Sequence, residues 1–130
     1  HVLVIGVGTG GTLTGIARVL KEKKKGLRVV AVEPKSSAVL SGGRPGLHAI
    51  QGLGAGFVPK ILDRSLIDEV VTVSDTEAER MVTRLAREEG LLLGPSSGAN
   101  VHAAVKVARE LRRSERVVTI LCDTGERYQS

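Results

Sequence analysis

The residues with the clearest chemical potential form a glycine-rich turn near the start of the chain. Gly6-Val7-Gly8-Thr9-Gly10-Gly11-Thr12 lies between an apolar run, Val2 to Ile5, and a helical pattern that begins near Leu13. Glycines lack Cβ atoms, so backbone N–H groups can converge on an anion, and the following helix directs its positive N-terminal end at the same point. The hydroxyls of Thr9 and Thr12 add two donors. The turn therefore predicts a phosphate-binding loop.

Strands and helices alternate along the chain, which predicts a parallel α/β sheet with helices on both faces. The predicted strands are Val2 to Ile5, Arg28 to Val32, Glu69 to Val73 and Arg116 to Leu121. The helix after the third strand starts at a capping box, Ser74-Asp75-Thr76-Glu77. The last helix is expected to carry one apolar face, made of Val101, Ala104, Val105, Ala108 and Leu111.

A second special turn, Gly94-Pro95-Ser96-Ser97-Gly98, opens the last helix. Ligands of parallel sheets gather at the carboxyl ends of the strands, where both turns are expected to lie. We therefore expect the two turns to face one site. Between Pro34 and Asp68 the periodicity fails and glycines accumulate, which is typical of a functional segment; short helical turns are expected at Ser36 to Leu40 and at Ile61-Leu62.

Composition limits the classes of function. The 130 residues, 42% of them hydrophobic and 25% charged, suit one α/β domain over residues 1–130, and no apolar run approaches the roughly 20 residues that span a bilayer. The net charge of +5 is concentrated at helix ends, and with two aromatic residues the chain lacks a stacking platform, so nucleic-acid binding is not expected. The lone Cys122 cannot form an internal disulfide, which suits a cytoplasmic protein. No metal site is expected. Because the sequence starts at His1, we expect it to be part of a longer protein.

The glycine turn alone also fits a dinucleotide-binding domain. Gly6, Gly8 and Gly11 match G-x-G-x-x-G, and Glu33 ends the second strand where such a fold keeps its ribose-binding acid. This alternative, an NAD(P)-type Rossmann domain without chemistry of its own, leaves the second turn and the glycine-rich middle without a role.

A longer series of motifs resembles the cysteine synthases (O-acetylserine sulfhydrylases), a family of fold type II, or β-family, pyridoxal-phosphate enzymes. The resemblance covers essentially the whole chain in content and order. The motifs that carry it are Gly8-Thr9-Gly10-Gly11-Thr12, Val32-Glu33-Pro34, Ser37-Ala38-Val39-Leu40-Ser41-Gly42-Gly43, Pro45-Gly46, His48, Ile50-Gln51-Gly52, Gly54-Ala55-Gly56-Phe57-Val58-Pro59, Gly94-Pro95-Ser96-Ser97-Gly98 and Gly125-Glu126-Arg127-Tyr128.

The resemblance implies a cofactor site. Gly8, Thr9, Gly10, Gly11 and Thr12 would hold the phosphate of pyridoxal 5′-phosphate in the large-domain portion of the fold, a three-layer αβα arrangement. In addition, Ser96 would hydrogen-bond the pyridine nitrogen, and Gly54 and Ala55 would line the substrate entrance. A neutral hydroxyl at a helix N-terminus does not favour a pyridinium ion, and the weaker electron sink suits α,β-elimination.

The resemblance also implies a reaction and partners. The parent enzyme would replace the acetate of O-acetylserine with sulfide to give cysteine, as a homodimer, and the region from His48 to Gln51 would lie where the C-terminal tail of serine acetyltransferase docks. The family's Schiff-base lysine segment, Asn-Pro-x-x-Ser-x-Lys, and its Thr-Ser-Gly-Asn loop are absent from this sequence, so no catalytic residue is assigned and the 130 residues alone are expected to be inactive. A chain that serves mainly as an interaction surface is the third hypothesis.

Overall fold

The computed structural model describes residues 1–8 and 10–125 and contains a sheet of four parallel strands. The strands are β1 (Val2–Gly6), β2 (Arg28–Pro34), β3 (Glu69–Val73) and β4 (Val117–Thr119), in the spatial order β3-β2-β1-β4. In the register of the central strands Val4 lies beside Val30, and Val4 lies beside Thr119 of β4 on its other side. The predicted parallel sheet is confirmed.

In the part of the chain that the structure describes, three α-helices cover the two faces of the sheet: α1 (Gly11–Lys23), α2 (Asp75–Glu89) and α3 (Pro95–Ala108). Side chains alternate between faces along a strand. Leu3 and Ile5 therefore pack with Leu13 and Ala17 of α1, and Val2 and Val4 belong to the opposite cluster with residues of α2 and α3. This is the expected three-layer αβα arrangement, and it explains why β1 and β2 read as continuous apolar runs.

The capping box at the start of α2 is confirmed. The Ser74 hydroxyl accepts the Glu77 N–H at 3.1 Å, and the Glu77 carboxylate accepts the Ser74 N–H at 2.9 Å. Gly90 ends the helix with φ +66°, a left-handed conformation that suits glycine. Met81 is buried, as its place in the apolar stripe predicts.

The predicted apolar face of α3 is correct only in part: Ala104 and Leu111 pack against the core, but the most buried residues of the helix lie at other positions. Ala99, Ala103 and Val107 are buried, whereas Val101 is only half-buried and Ala108 is exposed. The face that packs is the one with the smallest residues, because α3 lies directly against α2: a Cβ on Gly98 would lie 2.5 Å from the Ala78 carbonyl oxygen. The last strand, β4, covers Val117–Thr119 and is shorter than the predicted range from Arg116 to Leu121.

The segment from 35 to 68 is irregular, as predicted. It contains three short 3₁₀ turns, Lys35–Ser37, Val39–Ser41 and Arg64–Leu66. The first two fall where a helical turn was expected. Ile61-Leu62 is not helical, and the nearest helical turn begins after Asp63, whose carboxylate accepts the Ser65 N–H at 3.0 Å. None of the helices in residues 1–8 and 10–125 has the length and apolar character needed to span a lipid bilayer.

Candidate functional site

The two special turns line one cavity at the carboxyl edge of β1. The cavity has a volume of about 230 Å³, and Gly8, Gly10 and Thr12 line it together with Ser96. β1 runs directly into the first turn, and β4 leads to Cys122 and Asp123 on the same cavity. The parallel topology thus brings together residues that are nearly ninety positions apart in the sequence.

The N-terminus of α1 points into this cavity. The hydrogen-bond ladder of the helix starts with the Thr14 N–H, which donates to the Gly10 carbonyl at 3.1 Å, so the N–H groups of Thr12 and Leu13 lie ahead of it. Gly10 has φ +88°, and a Cβ there would lie 2.7 Å from the Cβ of Leu62. Glycine is therefore required at position 10 for both conformation and space.

Two predicted cofactor-binding residues, Thr9 and Gly11, are not among the described residues that line the cavity. Gly11 is the first residue of α1 and is exposed, but it is not among the residues that line the cavity. Thr9 lies outside the described residues, and so do Glu126, Arg127 and Tyr128 of the last motif.

The N-terminus of α3 supplies the opposite part of the cavity. Ser96 is 3% exposed and lies in the first turn of the helix, and its hydroxyl makes no hydrogen bond with a described residue. The neighbouring hydroxyl of Ser97 accepts the Cys122 N–H at 2.9 Å. The two serines of the motif are thus distinct: one faces the cavity and the other holds the chain that follows β4.

Asn100 lies one turn further along α3 and was missed by the sequence analysis. Its Nδ2 donates to the Ile120 carbonyl at 3.0 Å and approaches the Sγ of Cys122 at 3.8 Å. Its Oδ1 is buried and has no hydrogen-bond partner among the described residues, and it lies where a Cβ of Gly6 would collide with it. Asn100 therefore lies directly behind the cavity wall. An asparagine beside small apolar residues on a helix was the only signal in the sequence.

A loop from the irregular segment forms the third wall. Gly52 and Leu53 line the 230 Å³ cavity and also a second, more apolar cavity of about 680 Å³, which Ala55 and Phe57 line as well. Gly54 does not line either cavity, but its N–H donates to the Val7 carbonyl at 3.1 Å and ties this loop to the first turn. Of the two predicted entrance residues, the structure places Ala55 at an opening and Gly54 behind it.

The donor set of the smaller cavity fits a phosphorylated pyridine. Backbone N–H groups and the hydroxyls of Thr12 and Ser96 suit a phosphate and a ring nitrogen, and Ile5, Leu13 and Ile120 supply an apolar wall for a ring. Among the described residues that line it, Asp123 is the one carboxylate. Of the lysines in residues 1–8 and 10–125, Lys60 alone lines either of these two cavities.

Glu33 does not occupy the position that the dinucleotide alternative requires. Its side chain is 2% exposed, and its carboxylate accepts the N–H groups of Leu40 and Ser41. It is absent from the residues that line the cavity. The expectation of a ribose-binding acid at Glu33 is therefore wrong, because the carboxylate already accepts hydrogen bonds from the backbone of the 3₁₀ turn that follows.

Comparisons with known proteins agree with this geometry. A family model described as "Pyridoxal-phosphate dependent enzyme" matches residues 1–123. A cysteine synthase of Staphylococcus aureus (strain Mu50) is 50% identical over 125 residues, which are 96% of this chain and 40% of that protein. The solved structure of O-acetyl serine sulfhydrylase isoform 3 from Entamoeba histolytica is 44% identical with a TM-score of 0.93, covering 98% of this chain and 38% of that one.

A solved O-ureido-L-serine synthase is equally similar: it is 44% identical with a TM-score of 0.94, and the match covers 98% of this chain and 40% of that chain. The chain thus spans about 40% of the length of the relatives that it matches. Solved structures that are 44% identical to this chain thus include proteins whose names give different substrates, O-acetyl serine and O-ureido-L-serine.

Proposed function

Because the chain belongs to the pyridoxal-phosphate dependent enzymes, we propose that its two turns form the cofactor cradle of a cysteine synthase. In this proposal Gly8, Thr9, Gly10, Gly11 and Thr12 hold the cofactor phosphate, and Ser96 hydrogen-bonds the pyridine nitrogen. The single observation that supports it most is the shared cavity, which joins the start of α1 and the start of α3. The proposed reaction of the whole protein is the replacement of acetate in O-acetylserine by sulfide to give cysteine. The names of two relatives, a cysteine synthase at 50% identity and an O-acetyl serine sulfhydrylase at 44%, support this choice of product and substrate.

The α1 end of the cradle suits the phosphate. A phosphate dianion at this position would accept the N–H groups that precede the helical ladder, and it would interact favourably with the positive end of the helix dipole. The hydroxyl of Thr12 adds a side-chain donor on the cavity. The required glycine at position 10 keeps the backbone close enough for several N–H groups to reach one anion.

The α3 end suits the ring nitrogen. When bound, pyridoxal phosphate supplies an electron sink for the bond changes at the amino-acid substrate. Ser96 would bind the ring nitrogen through a neutral hydroxyl, which does not hold a proton on that nitrogen as a carboxylate would. The weaker sink favours loss of the acetate leaving group over reactions that need strong carbanion stabilisation. The N-terminal position of Ser96 in α3 fixes the hydroxyl on rigid backbone.

The Schiff-base lysine is proposed to lie outside residues 1–130, and these residues are proposed to form a single cofactor-cradling domain. Lys60 lines the larger, apolar cavity rather than the cradle, and the remaining described lysines line neither. We propose Gly54 and Ala55 at the substrate entrance, with Ala55 on the larger cavity and Gly54 supporting it.

Further proposals concern the whole protein. The resemblance to cysteine synthases supports a homodimer in the cytoplasm, with O-acetylserine and sulfide as substrates and the tail of serine acetyltransferase as a partner. The loop from His48 to Gln51 would receive that tail. The dinucleotide alternative is not favoured, because Glu33 is buried and bonded to its own chain.

A chimera tests the proposed reaction. The matching segment of the Staphylococcus aureus cysteine synthase would be replaced by this chain, which aligns with it over 125 residues. We expect the chimera to form cysteine from O-acetylserine and sulfide, and we expect the 130-residue chain alone to form none. A chimera that folds and binds pyridoxal phosphate but forms no cysteine would contradict the proposed reaction. Activity of the isolated chain would contradict the placement of the lysine.

A further inference from the structure

We infer that His48 is a positioning residue for the cradle, acting through the turn from Ile50 to Gly54. The inference rests on the proposed function for its consequence, because the turn forms one wall of the proposed cofactor site. His48 itself lines neither the 230 Å³ nor the 680 Å³ cavity. Its effect is therefore indirect, through the backbone that it holds.

The imidazole of His48 bonds both ends of the turn. Its Nδ1 accepts the Ile50 N–H at 3.2 Å, and its Nε2 lies 2.9 Å from the Gly54 carbonyl oxygen. A ring nitrogen that accepts a hydrogen bond carries no proton, so the proton of the neutral ring is on Nε2. Nε2–H therefore donates to Gly54. The geometry therefore selects one of the two neutral tautomers, the one with its proton on Nε2.

The turn held in this way packs against the glycine-rich strand end. A Cβ on Gly8 would lie 2.2 Å from the Gly52 carbonyl oxygen, and a Cβ on Gly6 would lie 2.4 Å from the Leu53 side chain. The position of a Cβ on Gly52 is 3.8 Å from the Oγ of Ser96. Movement of this turn would therefore change the space beside both the phosphate turn and the serine.

The backbone of the turn needs an external constraint. Gly52 has φ +92° and Gly54 has φ +63°, and glycine at such positions has wide conformational freedom. Ile50 and Leu53 are buried and keep the turn attached to the core, with exposed fractions of 1% and 7%. What His48 adds is the fixed spacing between Ile50 and Gly54. We therefore expect its loss to loosen the cavity wall while the core stays folded.

Three variants of the full 130-residue chain separate positioning from stability. His48→Ala removes both contacts. His48→Asn keeps an acceptor for the N–H two residues on, as in an Asx turn, but cannot reach Gly54. His102→Asn is the control, because His102 is also a half-buried histidine, its ring contacts Glu77, and neither residue lines the two cavities.

Three measurements decide the inference. Nitrogen NMR of the ring at mildly alkaline pH is expected to show Nε2 protonated and Nδ1 bare. Pyridoxamine 5′-phosphate, which has no aldehyde to react with surface lysines, is expected to bind roughly three- to tenfold more weakly to His48→Ala, with a smaller loss for His48→Asn and none for the control. Amide exchange at Gly54 is expected to accelerate in the same order, with little change in the melting temperature.

The results that would overturn the role of His48 differ from the result that would overturn the proposed cradle. A proton on Nδ1, an unchanged Gly54 exchange rate, or a lower melting temperature with unchanged affinity would each overturn the inference. If the unsubstituted chain binds no pyridoxamine 5′-phosphate, the proposed cradle fails instead. In that case the ring tautomer and the Gly54 exchange rates still decide whether His48 holds the turn.

Discussion

The buried carboxylate of Glu33 accepts the backbone N–H of Leu40 at 2.8 Å. The same carboxylate accepts the N–H of Ser41 at 2.9 Å and its hydroxyl at 2.6 Å. The end of β2 is thereby joined to the 3₁₀ turn Val39–Ser41, so the acidic residue that a dinucleotide fold would use for a ribose serves here as an anchor for the chain. The anchoring role of Glu33 argues for the pyridoxal-phosphate site and against the dinucleotide site, between which the glycine turn alone does not decide.

Glu33→Ala is expected to destabilise the chain without changing its choice of ligand. The substitution removes the acceptor of two N–H groups. Leu40 is buried, so its unpaired N–H costs about 1 to 3 kcal/mol, whereas Ser41 is exposed and its N–H can bond to water. Urea denaturation should show the loss, and Glu33→Gln, which keeps one acceptor oxygen, should lose less. A dinucleotide affinity that disappears in Glu33→Ala while stability is retained would contradict the anchor.

Gly10→Ala and Gly15→Ala are expected to have opposite effects. The first places a Cβ at a left-handed residue against Leu62 and should lower the free energy of unfolding by about 1 to 2 kcal/mol or more and weaken phosphate binding. The second lies inside α1 with nothing within 4 Å of the new Cβ, and it should raise stability by about 0.5 to 1 kcal/mol. Denaturation curves and phosphate titration of both variants check this. If the two substitutions changed stability and phosphate affinity equally, the left-handed conformation of Gly10 would be unimportant for both.

Ser96→Ala is expected to weaken the binding of pyridoxamine 5′-phosphate by roughly two- to tenfold and to leave the affinity for inorganic phosphate unchanged. The physical reason is that Ser96 would contact only the ring. Ser97→Ala is the matched control: it removes the acceptor of the Cys122 N–H and should mainly lower the melting temperature. Calorimetric titration with both ligands measures the difference. If Ser96→Ala weakens both ligands equally, the ring contact is assigned to the wrong residue.

The capping box predicts a specific acid dependence of stability. The Ser74 backbone N–H lowers the pKa of Glu77 below its ordinary value of 4.5, with further lowering from the Ser74 hydroxyl and His102, while burial acts in the opposite direction. Because the folded-state pKa is lower than the unfolded one, the stabilisation is present above the unfolded pKa and is lost as pH falls through the folded pKa. Glu77→Gln should therefore flatten the decline of stability below about pH 4.5. Glu89→Gln, which is exposed at the end of the same helix, should not. Identical acid profiles for Glu77→Gln and the unsubstituted chain would contradict this.

Local sequence signals predicted most elements correctly. The start of α2 followed from Ser74 and Glu77, whose reciprocal bonds need only three residues of separation, and Glu69–Val73 was predicted with its observed bounds. The most buried face of α3, with Ala99, Ala103 and Val107, was not predicted, because periodicity favours the larger residues. The close contact of Gly98 with α2 instead selects the face with the small residues.

Long-range roles were hidden from the sequence. The shared cavity was expected from the rule that ligands gather at strand ends, but the contribution of Leu53 to its wall depends on how the irregular segment folds back, and that of Cys122 depends on the bond of its N–H to Ser97. The carboxylate of Glu33 could be read as a ligand or as an anchor, since both occur after a strand. Only the positions of Leu40 and Ser41 distinguish the two.

Amide NMR of the chain during titration tests the central claim most directly, because it reports both the ligand and its location. Pyridoxamine 5′-phosphate and NAD would be added in separate experiments. The account predicts that pyridoxamine 5′-phosphate shifts the amide signals of Gly8, Gly10, Thr12 and Ser96 together with one dissociation constant, and that NAD does not. Shifts of the first three residues with NAD, or shifts with pyridoxamine 5′-phosphate that leave Ser96 unaffected, would contradict the proposed cofactor cradle.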